Sequence, residues 1–136
     1  MSANSVTASG MSDFRNLAVW QKSHALAIDA HRVAMMIRGS QYTSMRSQII
    51  RASMSVPANI VEGREQHGYK DFARFLRYSI GSASELESHL QIAVDLKLIT
   101  TKDFETLLDQ VTTVRKMLHV LIRSLDRDQR PASSGR

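Results

Sequence analysis

Four stretches of this sequence repeat apolar residues at spacings of three and four, the period that gathers side chains onto one side of an α-helix. Leu17, Trp20, His24, Ala27, Ile28, His31 and Met35 predict a first helix from about Leu17 to Ile37, with two histidines on its apolar side. RGSQYTS then breaks the period with Gly39, and Thr43 and Ser44 are candidate N-caps for a second helix. Met45, Ile49, Ala52, Val56 and Ile60 mark the stripe of that helix, which ends near Gly63, read as a left-handed C-cap.

After Gly68, a third helix to about Leu96 carries Phe72, Leu76, Ser79, Ala83, Leu86, Leu90 and Ala93 in alternating steps of four and three, a heptad seam. Within it, Gly81-Ser82-Ala83-Ser84 offers only small side chains, so another backbone can come close. Thr100 or Thr101 caps a fourth helix, with Asp103 and Glu105 at the positive end of its dipole and Arg123 and Arg127 at the negative end. Its apolar face runs through Phe104, Leu107, Leu108, Val111, Val114, Leu118, Leu121, Ile122 and Leu125.

Amphipathic helices joined by short connections bury their stripes only against one another. The expected fold class is therefore all-α, an antiparallel up-and-down four-helix bundle over residues 13–127. Residues 1–12 are small, polar and aperiodic and are expected to form a disordered leader; residues 128–136, which include RPASSGR, are expected to form a disordered tail.

Composition narrows the chemistry. A length of 136 residues fits one domain, and the absence of cysteine excludes disulfides, thiolate metal sites and cysteine nucleophiles. No window approaches the roughly 20 apolar residues of a membrane span, and no basic region followed by an apolar run opens the chain, so a cytoplasmic, membrane-free protein is expected. The net charge of +5 is concentrated centrally: eight basic residues lie between Arg32 and Arg77 against Glu62, Glu65 and Asp71. Such an excess suits phosphates or an acidic partner.

The segment SVPANIVEG sets a proline inside the second helix. Pro57 lacks a backbone donor and its ring presses on the carbonyl of Ser53, which favours a kink over a restart because Val56 and Ile60 stay in phase across it. Arg51, Ser55, Asn59 and Glu62 succeed one another at offsets of four, four and three, forming a polar ribbon whose expected partners are Ser82, Glu85 and His89. An alternative makes Glu62 a general base or metal ligand near His24, His31 or His89. His24 and His31 are seven residues apart, too far to chelate as an i,i+4 pair does, and no phosphate loop, nucleophile elbow or calcium loop is present. No catalytic residue, cofactor or metal is expected. Met35, Met36, Met45, Met54 and Met117, and Trp20 as an anchor of the first helix, are read as core.

QIIRASMSVPANIVEG (residues 48–63) and YKDFARFLRYSIGSASELESHLQIA (residues 69–93) resemble the bacterial four-helix-bundle family that includes proteins encoded in intervening sequences of large-subunit ribosomal RNA genes. Arg51, Pro57, Asn59, Glu62, Gly63, Phe75, Gly81, Ser82, Glu85 and Glu87 match its signature, and the resemblance spans roughly Phe14 to Leu125. It departs at RGSQYTSMRSQ, where family members often carry Pro-x-x-Glu. The resemblance implies a cytoplasmic, non-enzymatic bundle assembling into a homopentamer. A similar bundle, the accessory protein of diversity-generating retroelements, associates with reverse transcriptase and nucleic acid.

The leading functional expectation is a homo-oligomeric scaffold that binds RNA, DNA or a nucleic-acid-processing protein through Lys70, Arg74 and Arg77, outward on the third helix, with Arg46 on the second. A purely structural interaction module, in which those arginines pair with carboxylates of neighbouring subunits, is the second reading, and an enzyme built on Glu62 the third.

Overall fold

A computed structural model describes residues 13–129. The leader assigned to residues 1–12, and all of the tail after Gln129, lie outside them. Four helices account for nearly all of the described chain: α1 (Ala18–Met35), α2 (Thr43–Arg64), α3 (Tyr69–Asp95) and α4 (Thr101–Gln129), with single 3-10 turns at Phe14–Asn16 and Ser40–Tyr42. Each helix packs on the next, and α1 closes against α4, giving the all-α up-and-down bundle expected from the stripes. The α4 helix runs two residues past the expected boundary at residue 127. Among the described residues no helix is long and apolar enough to cross a membrane.

The core lies along the predicted seams on three helices. On α3, Leu76, Ser79, Ala83, Leu86, Leu90 and Ala93 are buried; on α2, Ile49, Ala52, Val56 and Ile60; on α4, Leu107, Val111, Val114, Leu118, Ile122 and Leu125. Helix α1 differs. Its buried stripe is Val19, Ser23, Leu26, Ala27, Ala30, Val33 and Ala34, so of the predicted set only Ala27 is buried. His24 and His31 are exposed, as are Ile28 at 48% and Met35 at 59%. Both stripes have helical period; the one that packs is built from smaller residues, which let α1 sit close to the core.

Among the described residues, the three buried serine hydroxyls each donate to a backbone carbonyl. Ser23 donates to the carbonyl of Trp20 (2.9 Å) and Ser53 to that of Ile50 (2.8 Å), each within its own helix. Ser79 crosses between helices and donates to the Val56 carbonyl at 2.7 Å. This bond lands one residue before Pro57, and α2 continues as helix on both sides of that proline.

The connections use backbone chemistry. Gly39 and Gly68 adopt φ of 107° and 91°, a region in which a Cβ is strained, and Gly68 directly precedes α3. Neither Thr43 nor Ser44 caps α2; Thr43 is its first residue, and its hydroxyl donates back to the Ser40 carbonyl (2.9 Å). Thr100 does cap α4, its hydroxyl accepting from the Asp103 amide at 3.0 Å. Helix α3 ends in a Schellman arrangement, with Leu98 N donating to the Ala93 carbonyl (2.9 Å) and Lys97 at φ 62°. A left-handed lysine is strained where glycine is not. Lys97→Gly is therefore expected to stabilise the chain by about 0.5–1 kcal/mol, read as a higher thermal midpoint. A lower midpoint would contradict a strained turn.

Candidate functional site

Helix α3 presents its basic residues on the face opposite its seam. Lys70, Arg74 and Arg77 recur at offsets of four and three and are all exposed. Their states differ. Arg74 donates to the Tyr78 hydroxyl (3.0 Å), lies over the rings of Phe75 (4.8 Å to the centroid) and Tyr78 (5.7 Å), and reaches the Asp71 carboxylate at 3.5 Å. The hydrogen bond with Tyr78 raises the pKa of this guanidinium, and Asp71 adds to the rise; the same contacts seat the group against the two rings. Lys70 and Arg77 make no ion pair among the described residues.

Arg46 does not join this cluster. Antiparallel packing puts the start of α2 at the end of the bundle opposite the start of α3, and the 18 residues from Arg46 to Arg64 span about 27 Å of helix. Its guanidinium is also engaged, donating to the carbonyls of Ile37 (2.8 Å) and Gly39 (3.1 Å) and to the Thr43 hydroxyl (3.0 Å). Arg46 thus closes the turn after α1 by bonding two carbonyls of the connecting loop. The central charge excess is continuous in sequence but divided in space.

The polar ribbon of α2 is brought together in part. Asn59 Nδ2 donates to the Ser55 carbonyl (2.9 Å) and to Ser55 Oγ (3.0 Å), and Ser82 Oγ of α3 donates to Ser55 Oγ at 2.8 Å. Arg51 is exposed and approaches only Ser47 Oγ (3.4 Å). Glu62 is exposed, and Glu85 faces His89 Nε2 at 3.4 Å on α3 itself, so neither enters the contact between the helices. No group of three His, Asp or Glu side chains among the described residues converges as metal ligands would.

Gly63 has a different role from the one its sequence suggested. It is a buried helical residue in the last turn of α2, and a Cβ there would lie 2.9 Å from Phe72 Cδ1, 3.0 Å from Phe75 Cβ and 3.3 Å from the Phe72 carbonyl oxygen. Close passage of α3, and not a left-handed cap, is what requires glycine. Gly81, by contrast, is exposed, and a Cβ would meet nothing within 4 Å.

Several surface features carried no clear signal in the sequence. Phe14 meets Trp20 edge-on (5.1 Å between centroids), His24 stacks on Trp20 (4.7 Å), and Arg15 lies over Phe14 (4.7 Å). Trp20 packs partly buried against the core, as the sequence suggested of an anchor, and its remaining surface carries this aromatic row. Arg115 of α4 ties α4 to α3, pairing with Glu87 (2.6 Å) and donating to Ser84 (3.1 Å). A groove of about 440 Å³ runs between α1 and α4, lined by Leu17, Val19, Met117, Val120 and Leu121 among others.

The comparisons with known proteins agree with this architecture. A family model described as 23S rRNA-intervening sequence protein matches residues 15–120. The chain is similar to a crystal structure from Bacteroides thetaiotaomicron, a protein of unknown function from the S23 ribosomal protein family, with TM-score 0.73 and 26% identity over 77% of this chain and 98% of that one. No curated protein matches the sequence.

Proposed function

We propose that this chain, which belongs to the 23S rRNA-intervening sequence protein family, is a non-enzymatic, self-assembling scaffold that engages nucleic acid through the outward face of α3. The observation that supports it is the pair of exposed cations without ionic partners among the described residues, Lys70 and Arg77, set on either side of the guanidinium of Arg74. Three cations at helical spacing suit phosphates strung along a backbone. Tyr69 and Tyr78, each about half exposed, lie on the same segment and supply faces for unpaired bases. Arg46 takes no part in this reading. The pentameric assembly implied by the family resemblance belongs to the same proposal, as does a nucleic-acid-processing protein as an additional partner.

The test is a titration of labelled single-stranded RNA against the chain at a series of salt concentrations. Neutralising three phosphates gives a slope of about −2 in log K against log salt, and Lys70→Ala or Arg77→Ala each flattens it by about 0.7. Absence of binding at low ionic strength, or a slope that neither substitution changes, rules the interface out. A specific observation also favours the pure interaction module: the same face of α3 turns acidic beyond Gly81, where phosphate is repelled.

A further inference from the structure

We infer that the outward face of α3 is a self-association surface, on which a second copy of this chain packs antiparallel about a two-fold axis at Gly81. Lys70, Arg74, Arg77, Gly81, Glu85 and Ile92 all project from this face and all are exposed. Charge along it is segregated. From Tyr69 to Tyr78 it carries Lys70, Arg74 and Arg77 beside Asp71; from Ser79 to Asp95 it carries Glu85 and Asp95 and no lysine or arginine, while Glu87 lies to one side, paired with Arg115.

A stripe that is positive in one half and negative in the other complements itself when a copy is turned end for end. With Gly81 on the axis, Arg77 faces Glu85 of the second copy, four residues from the axis on each side, and the pair occurs twice by symmetry. Lys70 comes level with Ile92, so its aliphatic stem covers an apolar side chain that is 46% exposed in the single chain. Its ammonium then reaches towards Asp95. Helix α4 adds to the acidic half only, in the register set by the Arg115–Glu87 pair: Asp103, Glu105 and Asp109, against Lys102, lie towards the acidic end of α3, whereas Arg123 and Arg127 are balanced by Asp126 and Asp128.

Gly81 fits the same geometry. A glycine inside a 27-residue helix weakens that helix, and nothing among the described residues comes near enough to require one. At the axis of two crossing helices the missing side chain lets the backbones close together. Nucleic acid answers only half of this surface, because its phosphates meet Glu85 and Asp95 beyond the glycine; a second copy answers both halves. The inference does not depend on RNA binding; both contacts use Lys70 and Arg77, so RNA and a second copy are alternative occupants of this face. An isologous contact joins subunits in pairs, so it is also separate from the head-to-tail contact that closes a ring of five.

The experiment is sedimentation equilibrium on the full chain and three variants, Arg77→Glu, Glu85→Arg and the double exchange, with helicity checked by circular dichroism. Each single variant sets like charges against each other at both symmetric positions and is expected to weaken pairing at least about tenfold. The double exchange restores pairing. An equimolar mixture of the two single variants also restores it, as a heteromeric pair, because two carboxylates on one copy then meet two guanidinium groups on the other. Single variants that pair like the parent, a mixture that stays apart, or a parent chain with no paired species overturns the proposal. RNA titration separates the two readings, since Glu85→Arg adds a cation for phosphates while removing the self-contact.

Discussion

Leu86→Ala is expected to cost the protein about 2–5 kcal/mol, enough to lower its thermal midpoint by on the order of 10 °C or more. Leu86 is wholly buried at the middle of α3, the helix that packs on both α2 and α4. Removing the branched end of the side chain there loses its transfer energy and leaves a void that neighbours on two sides cannot fill together. Natural domains hold only about 5–15 kcal/mol in total, so the loss is a large share of it. Urea titration followed by circular dichroism reads the effect as a lower midpoint at unchanged slope. A loss below about 1 kcal/mol would mean that the four stripes do not close on one another at this level.

Gly63→Val is expected to cost about 3 kcal/mol, by overpacking instead of by a void. Two of the three atoms a Cβ would crowd, Phe75 Cβ and the Phe72 carbonyl oxygen, move only with the α3 backbone, so no side-chain rotation relieves the contact. Gly81→Ala is the matched control, measured at a concentration that keeps copies apart. An alanine there meets nothing and is expected to stabilise α3 by about 0.5–1 kcal/mol. Helix propensity favours the substitution at both sites, so it cannot explain a difference in sign, whereas the passage of α3 across α2 can. Stabilisation by both substitutions would show that the two helices are not as close as described.

The seams of α2, α3 and α4 were legible because each of those helices has one apolar stripe, and burial selects it. Helix α1 has two. The larger residues Ile28 and Met35 drew the reading to the outer stripe, whereas Ala30 and Ala34 on the inner stripe allow closer packing. Hydropathy ranks residues by what they gain from burial; it does not say which stripe fits the available gap. The candidate interface shows the complementary limit. Lys70, Arg74 and Arg77 stay together because they share one helix, but Arg46 is separated from them by a hairpin that reverses the chain, and a charge count along the sequence has no knowledge of the reversal. Ser55, Asn59 and Ser82 did meet, since their contact needs only the pairing of adjacent helices, while Glu62 and Glu85 remained outside because ionised side chains are held at the edge by their hydration.

The hydroxyl links between α2 and α3 have a mechanical consequence. Apolar ridges can slip past one another by a turn and still find hydrocarbon opposite, but Ser79 Oγ, at 2.7 Å from the Val56 carbonyl, and Ser82 Oγ, at 2.8 Å from Ser55 Oγ, lose their mates under the same slip. They work as keys in a keyway, both seated in the turn of α2 that leads into Pro57. The α2–α3 hairpin is thereby a stiff beam whose two rails share one axial position, and whatever α3 carries on its outer rail is delivered at a constant height along the barrel.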